Sequence, residues 1–477
     1  MKILATIVLA GALAACNSGP DCEVCPAMGN ACVPPGACTP ASCQRPIVSS
    51  ALPNEQVQHL GTYKVGTELS FTVPADAGSV SIVQQAKIAG LSVIYQSQVL
   101  DNSAVPLTIT FPDGGIAYDD NDPALAAALK DSPDGGSDLS RFYTVYGGDT
   151  PNTAAFTFPN TTSSLDSGVP EGTWKFVVND YANECTFISG CSDGGSADST
   201  YDVSVVTRTQ PQGSSLDVAF YIVADVTNPS GAPLRAANAS TDQSVQRMVQ
   251  SFQSMFAQVG ITANVSFYDV DASARARFGT NLNVTNTGPC EEMNQMFTLS
   301  SAHVGNFMNL FLVQGLSSTD STGSFLVVGI DGTIPGPSSF NGTVQSGAVV
   351  SIADLYFRTS TASCAGAVDI VNCGADSVAH IAAHESGHFL GLFHTTEREG
   401  AAFDPLTDTP KCPCLTCSSI ADHPRCGTSN PPDIAAGRCL SPPSCGGGDN
   451  LMFWLLAPGE KLSTQQGQVM RLNPLVH

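Results

Sequence analysis

Short runs of alternating apolar and polar residues fill the chain from about residue 55 to residue 208. Neighbouring side chains of a β-strand point to opposite faces, so alternation between Gly, Pro, Asn and Asp breakers predicts half-buried strands. The clearest runs are Leu69-Phe71-Val73, Leu107-Ile109-Phe111, Trp174-Phe176-Val178 and Tyr201-Val203-Val205. No amphipathic helix of any length interrupts them, which predicts an all-β sandwich.

The pattern changes after a polar segment rich in breakers at residues 207–215, where we place a domain boundary. Between the first two strands predicted beyond it, apolar residues at helical spacing predict a helix over residues 242–259, with a cap signal at Ser240 and Thr241. Strands that alternate with helices are typical of an α/β fold. The apolar runs that predict these strands are residues 218–223, 265–268, 309–313 and 348–352.

The first 15 residues have the pattern of an export signal. Lys2 provides a positive start, residues 3–10 are apolar, and the segment ends in Leu13-Ala14-Ala15-Cys16. This ending resembles the bacterial lipobox, in which the cysteine is acylated, and the resemblance implies a lipoprotein anchored to a membrane through Cys16. Asn17 follows the cysteine, which by analogy favours the outer membrane or cell surface. The alternative is an ordinary cleaved signal, with Cys16 as a disulfide partner.

The chain has 17 cysteines, and acylation of Cys16 leaves an even number that can pair in an oxidising compartment. Residues 16–50 are rich in Cys, Pro, Gly and Ala, and we interpret them as a disulfide-stapled spacer. Five cysteines other than Cys16 lie in this spacer and nine lie in the last domain. Either one bridge joins the two regions or two thiols remain free.

Acidic residues outnumber basic residues by 42 to 19, which gives a net charge of -23. Such a surface cannot neutralise a run of phosphates, so the sequence argues against nucleic acid as a partner. Asp-rich turns could hold Ca²⁺ through carboxylate oxygens, but Asp-Gly pairs also suit tight β-turns, and we favour plain turns. The turns are Asp113-Gly114-Gly115, Asp119-Asp120-Asn121-Asp122, Asp134-Gly135-Gly136 and Asp193-Gly194-Gly195.

The most specific signal is His384-Glu385-Ser386-Gly387-His388, inside a predicted helix over residues 375–390. Histidines at positions i and i+4 stand on one face of a helix, so their rings can converge on one ion. Gly391 can adopt a left-handed conformation that ends the helix and presents His394 as a third ligand. The alternative is a set of histidines packed in a core helix. It is disfavoured because four of the eight histidines fall between residues 380 and 394.

Three neutral imidazoles from His384, His388 and His394 predict one catalytic Zn²⁺ with a fourth position open for water. Bound zinc lowers the pKa of that water, and Glu385 is placed to take its proton and return it to the leaving amine. This arrangement predicts peptide hydrolysis without a covalent intermediate. His380 is interpreted as a packing or supporting residue, because a catalytic site needs an open coordination position.

From His384 onward, the chain resembles the metzincin zinc peptidases and, within them, the pappalysin-like branch. The resemblance is carried by the motif from His384 to His394, its continuation to Thr395, an Asp-Thr-Pro segment in residues 404–410, and Asn450-Leu451-Met452-Phe453-Trp454. The last segment is similar to the Met-turn, which implies that Met452 forms a hydrophobic floor under the zinc. Those relatives usually have Tyr at the position of Trp454, and Trp cannot supply the hydroxyl.

The resemblance implies that residues 209–477 form an α/β metzincin catalytic domain with an active-site helix and a Met-turn. A more local likeness links residues 172–180 to the closing strands of jelly-roll accessory modules in secreted bacterial peptidases. Residues 51–208 are therefore predicted to be a jelly-roll-like β-sandwich, either an accessory domain or a removable pro-domain.

In metzincins, the segment between the third ligand and the Met-turn forms a wall of the primed-side specificity pocket. Here this segment has six cysteines, which predict three local disulfides that stiffen the wall. They are Cys412, Cys414, Cys417, Cys426, Cys439 and Cys445. Residues 424–427 superficially match the cysteine switch of matrixin propeptides, but their position after the active-site helix argues against that role.

The sequence thus predicts an exported, lipid-anchored bacterial zinc endopeptidase that hydrolyses peptide bonds in protein or peptide substrates. Two alternatives stay open. One is a surface adhesion or recognition lipoprotein with an inactive metalloprotease-like domain. The other is a peptidase that acts only on its own chain to release the C-terminal domain.

Overall fold

The structure is a computed structural model, and most of its described part lies beyond residue 52. The predicted signal peptide, Cys16, the turns at 134–136 and 193–195, and all but the first residue of the turn at 119–122 lie outside the described residues. The described ranges are 23–24, 32–33, 48–49, 52, 54–86, 104–119, 153–180, 200–209, 212–284, 292–303, 305–320, 323–325, 327–357, 364–428, 430–456 and 459–477.

Where it is described, the N-terminal part consists of β-strands and one short helix. Its elements are β1 (Glu23–Val24), β2 (Cys32–Val33), β3 (Val48–Ser49), β4 (Glu55–Lys64), β5 (Glu68–Val73), β6 (Ala77–Ala86), β7 (Ala104–Thr110), β8 (Ile116–Asp119), β9 (Thr153–Phe158), α1 (Thr162–Ser167), β10 (Gly172–Asp180) and β11 (Thr200–Thr209). The order β5-β10-β7-β8 forms one antiparallel sheet, and β4-β11-β6-β9 forms another.

These two sheets share one apolar core, to which alternate residues of both contribute. Trp174, Phe176 and Val178 of β10 are fully buried, as the alternating pattern predicts. The Trp174 ring meets the Phe111 ring edge-on, with 4.8 Å between the centroids. Asp113 uses a carboxylate oxygen to accept a 2.8 Å hydrogen bond from the Gly115 amide, which is the ordinary chemistry of an Asp-Gly turn.

The C-terminal part mixes strands and helices. Its strands are β12 (Ser215–Ile222), β13 (Thr262–Asp269), β14 (Asn281–Asn283), β15 (Met308–Val313), β16 (Gly315–Asp320), β17 (Gly323–Phe325), β18 (Gly329–Asp331), β19 (Phe340–Asn341) and β20 (Ala348–Ser351). Its α-helices are α2 (Ala236–Ala239), α3 (Gln243–Ala257), α4 (Ala272–Phe278), α5 (Glu292–Phe297), α6 (Gly374–Phe389), α7 (Cys414–Cys417) and α8 (Thr464–Leu472). Short 3-10 turns lie at Thr298–Ala302, His423–Arg425 and Ala436–Arg438.

The main sheet has the order β13-β12-β15-β20-β18, in which the first four strands are parallel and β18 is antiparallel to β20. Every residue of β15 is buried, because a parallel strand is covered on both faces. One face packs in a core with α3 and α6, and the opposite face packs in a second core with α4 and α5. This layering places α6 directly against the sheet.

The predicted cap of the long helix was wrong by one or two residues. Asp242, rather than Ser240 or Thr241, caps α3, and its carboxylate accepts hydrogen bonds from the amides of Ser244 and Val245. A carboxylate at this position also interacts favourably with the positive end of the helix dipole, which favours Asp over the two hydroxyl residues before it.

The two parts contact each other through one apolar side chain, several hydrogen bonds and a pair of short strands. Leu165 of α1 packs against the core of the C-terminal part, and Thr162 Oγ1 donates to Gln465 Oε1 at 2.7 Å. Arg208 donates to the Arg471 carbonyl at 2.6 Å, and strand β3 pairs with β19.

Among the described residues, no helix has the length and apolar character needed to cross a membrane.

Candidate metal centre

Helix α6 carries the first two histidines of the motif. Its alanines favour helix formation, and all but one of its residues are buried between the sheet and the C-terminal segments. The helix is capped at Leu390, and Gly391 follows with a φ of 104°, a left-handed conformation in which a side chain would be strained. The chain therefore turns back at the glycine predicted to end the helix, and His394 reaches the other two histidines.

The three predicted ligands lie around one point. His384 Nε2 is 3.1 Å from His388 Nε2 and 3.2 Å from His394 Nε2, and the remaining pair is 3.1 Å apart. Three tetrahedral Zn–N bonds of roughly 2.05 Å would separate their nitrogens by about 3.3 Å. Within the described part of the chain, these histidines are the group whose ligand atoms are placed to hold a metal ion.

Each of these rings has an oxygen acceptor behind it. His384 Nδ1 faces the Leu451 carbonyl at 2.7 Å, His388 Nδ1 faces the Leu392 carbonyl at 2.7 Å, and His394 Nδ1 faces Glu397 Oε2 at 2.9 Å. An Nδ1 that donates to oxygen leaves Nε2 with its lone pair. Three lone pairs directed at one point repel each other unless a cation lies between them, so the donor set fits a bound zinc ion.

The pKa values of the histidines agree with their surroundings. Burial lowers the pKa of His384 well below its usual value and lowers that of His388 to about 3, so both rings are neutral, as metal ligands require. Burial also acts to lower the pKa of His394, but the charge and hydrogen bond of Glu397 outweigh it and raise this pKa overall. Glu397 therefore increases the basicity of the third imidazole.

Glu385 is buried beside this cluster. Burial raises its pKa well above the usual value, the carboxylate of Asp331 raises it further, and a hydrogen bond from the Asp331 backbone acts in the opposite direction. Asp331 is the last residue of the edge strand β18, and burial raises its own pKa to about 7. The carboxyl groups of Glu385 and Asp331 thus lie close to each other beside the histidines, and of these two only Glu385 belongs to the motif.

Met452 is fully buried under α6. A Cβ atom added at Gly387, between the two helical histidines, would lie 2.5 Å from Met452 Sδ. The Met452 carbonyl accepts a 2.9 Å hydrogen bond from the Thr395 amide, next to His394. The methionine therefore packs against α6 between the two helical histidines, and Gly387 provides the space for its sulfur.

The cysteine-rich segment forms three local disulfides, as predicted. They join Cys412 to Cys439, Cys414 to Cys426 and Cys417 to Cys445. A fourth bridge joins Cys364 to Cys373, the residue that precedes α6. Cys426 is oxidised in this arrangement and has no free thiol to act as a cysteine switch.

Trp454 packs against the disulfide-linked segment, and its Nε1–H donates to the Ile434 carbonyl at 2.8 Å. Its only polar hydrogen is thus used in a structural contact.

His380 is buried, lies outside the metal-binding group, and has its pKa lowered to about 4 by burial.

Sequence reasoning missed Glu397 and Asp331. Glu397 lies three residues after His394, and a carboxylate this close to a ligand histidine is a signal that could have been used. Asp331 lies 54 residues before Glu385, and only the pairing of β18 with β20 brings it to the site.

No protein-family model and no curated protein matches the chain. Among solved structures, the chain is similar to archaemetzincin from Methanopyrus kandleri over 40% of this chain and 82% of that chain, with 17% identity and a TM-score of 0.24. It is also similar to the serine protease of Aeromonas sobria over 35% of this chain and 28% of that chain, with 12% identity and a TM-score of 0.16. Likeness at this level does not establish a shared fold, and the case for a zinc site depends on the histidine geometry.

Proposed function

We propose that residues 209–477 are a zinc-dependent endopeptidase of the metzincin type, in its pappalysin-like branch, and that residues 51–208 are a jelly-roll-like accessory domain. The observation that carries the proposal is the convergence of three Nε2 atoms, 3.1–3.2 Å apart, next to a buried glutamate. His384, His388 and His394 would hold the ion. When bound, zinc supplies a Lewis acid that polarises a peptide carbonyl and acidifies water.

Glu385 supplies the proton transfer. Its raised pKa means that it holds a proton more readily than an exposed glutamate, which suits a group that accepts a proton from water and passes it to the leaving amine nitrogen. Burial also keeps bulk water away from the carboxylate, so electrostatic interactions at the site are strengthened. The nucleophile is water, so no side chain forms a bond to the substrate.

Strand β18 supports an extended peptide as the substrate. It is the edge strand of the main sheet as described, it lies beside α6, and its three residues are half-buried. An edge strand has one side on which no other strand pairs with it, and an extended peptide can pair with the backbone groups there. A substrate bound in this way would pass beside Glu385.

The location of the protein is also part of the proposal. The signal at residues 1–15 and the cysteine that follows support an exported lipoprotein held at the cell envelope through Cys16. Its substrates would then be proteins or peptides outside the cytoplasm.

A Glu385→Gln variant tests the enzyme assignment with an unfolded protein as the substrate. We expect the variant to keep its zinc content and to lose about 10²–10⁴-fold in kcat, because the proton acceptor is removed. Glu68→Gln is a matched control on the exposed surface of the N-terminal part and is expected to behave as the wild type. Equal activity in all three proteins would contradict the proposed mechanism. A wild type that binds zinc and cleaves nothing would favour the adhesion alternative.

A further inference from the structure

Gly329 faces the catalytic glutamate at very short range. A Cβ atom added to Gly329 would lie 2.5 Å from Glu385 Oε1 and 2.8 Å from Glu385 Cγ. It would also lie 2.6 Å from Ile381 Cγ2, one turn earlier on α6. Gly329 is not among the glycines with positive φ, so its backbone conformation is open to any residue. Glycine is required at this position for space.

The register of β18 puts Asp331 on the same side as Gly329. Side chains of a strand alternate, so positions 329 and 331 face α6, whereas Ile330 packs into the core on the opposite face of the sheet. The backbone of Asp331 forms a hydrogen bond with Glu385. Strand β18 therefore affects Glu385 in two ways. Gly329 has no side chain and leaves room for the Glu385 side chain, and the backbone of Asp331 forms a hydrogen bond with it.

Both elements that enclose Glu385 are held firmly. Strand β18 pairs with β20 in the register Gly329 to Val350 and Asp331 to Ala348, and all four residues of β20 are buried. On the other side, α6 packs against the sheet and α3 in the main core. A side chain enclosed between two rigid elements has few rotamers available, which is how an active site is preorganised.

We infer that β18 positions the catalytic base, with Gly329 leaving the space that the Glu385 side chain occupies and the backbone of Asp331 orienting its carboxylate. Gly329 and Asp331 are thus positioning residues that act through Glu385. The inference rests on the proposed function, since it assigns them to the same reaction. It adds that the orientation of the base depends on a strand more than fifty residues away in the sequence.

Gly329→Ala is the primary test. The added methyl group displaces the carboxylate, and a displacement of about 1 Å can lower kcat by about 10²-fold. We expect a loss of about 10–100-fold in kcat, with KM and zinc content within about twofold of the wild type. A wild-type kcat in a folded, zinc-loaded variant would overturn the inference.

Two other glycine variants serve as controls. A Cβ at Gly336 would meet the Phe389 ring at 2.1 Å, at the far end of the same helix, so Gly336→Ala should lower the melting temperature without a selective loss of kcat. A Cβ at Gly366 would meet nothing within 4 Å, so Gly366→Ala should leave both quantities unchanged. If Gly336→Ala lowers kcat as much as Gly329→Ala, the effect is general helix damage and the inference fails.

A double-mutant cycle with Glu385→Asp tests the contact itself. The shorter aspartate withdraws its carboxylate from position 329, so Gly329→Ala should cost at least fivefold less in kcat in this background than in the wild type. Additive losses would overturn the inference. The added methyl group at position 329 also meets Cγ2 of Ile381. If Gly329→Ala does not fold by itself, the same cycle can be measured in an Ile381→Leu background, in which this Cγ2 methyl group is absent.

The outcome separates this inference from the proposed function. Full activity in Glu385→Gln would contradict the proposed enzyme mechanism, and with it the inference about β18. Loss of activity in Glu385→Gln together with full activity in Gly329→Ala would contradict only the inference that β18 positions Glu385, and the proposed function would stand.

Discussion

The ring of His394 depends on a side chain that the motif does not include. Its Nδ1 lies 2.9 Å from Glu397 Oε2, whereas His384 and His388 use backbone carbonyls for the same purpose. A backbone acceptor is present whatever the sequence, but a carboxylate can be removed by one substitution. The orientation of the His394 ring is therefore the feature of the site that a single substitution can most easily disturb.

We expect Glu397→Ala to weaken zinc binding by about 10–100-fold, because the imidazole loses its acceptor and its basicity falls. Competition with a chelator of known affinity measures this change. Glu399→Ala is the matched control, since Glu399 affects His394 only through its charge. A similar loss in both variants would mean that overall negative charge, rather than the hydrogen bond, supports the ligand.

Helix α6 is anchored at its first turn by a buried ion pair. Asp376 is fully buried there, and its two oxygens accept hydrogen bonds from Arg247 Nε at 2.6 Å and Arg247 Nη2 at 2.7 Å. Arg247 belongs to α3, so the pair joins the two helices that cover one face of the sheet. A carboxylate in the first turn also interacts favourably with the helix dipole.

We expect Asp376→Asn to lower the free energy of unfolding by about 3 kcal/mol, because it leaves the Arg247 guanidinium without its charged partner. Urea unfolding measures the change. Asp433→Asn breaks an exposed pair with Arg398 and should cost less than about 1 kcal/mol. The anchoring role of the Asp376–Arg247 pair is contradicted if Asp376→Asn and Asp433→Asn lower the free energy of unfolding by the same small amount.

At the scale of the whole molecule, a buried carboxyl group joins the two parts of the chain. Glu55 of β4 accepts hydrogen bonds from Asn306 Nδ2 and Ser339 Oγ of the C-terminal part, both at 3.1 Å. Leu165 and Arg208 make further contacts across the same boundary. The N-terminal part is thus joined to the C-terminal part by the half-buried Leu165 and by the hydrogen bonds of Glu55 and Arg208.

Burial raises the pKa of Glu55 from 4.5 to about 7, so the folded state holds this proton more tightly than the unfolded state. The contribution of Glu55 to stability is therefore complete below pH 4.5 and decreases as the pH rises through 7. Glu55→Gln mimics the protonated form. We expect the wild type to lose about 2 kcal/mol of unfolding free energy relative to this variant between pH 5 and pH 8.

Urea unfolding across that pH range checks the prediction, with the exposed Glu68→Gln as the control for loss of a single charge. Stability curves of the wild type and Glu55→Gln that run parallel would contradict it.

The alternating pattern and the helical spacing predicted the four parallel strands of the main sheet, four strands of the N-terminal part and the two long helices. The run Trp174-Phe176-Val178 lies in β10, and the helix predicted over residues 375–390 is Gly374–Phe389. These predictions succeeded because burial of one face imposes a period that is visible in the sequence. Helix α1 was missed, because six residues are too few for a helical period to stand out.

The sequence by itself determined the three converging histidines and the turn that brings the third to the other two, because spacing along one helix and a glycine at its end are local properties. The partners of those residues were decided by the tertiary structure. Asp331 and Gly329 reach Glu385 through the pairing of β18 with β20, and Leu451 reaches His384 through the fold of the C-terminal segment. Contacts between residues far apart in the chain leave no period or spacing in the sequence, and they form only when the sheet and the helices pack.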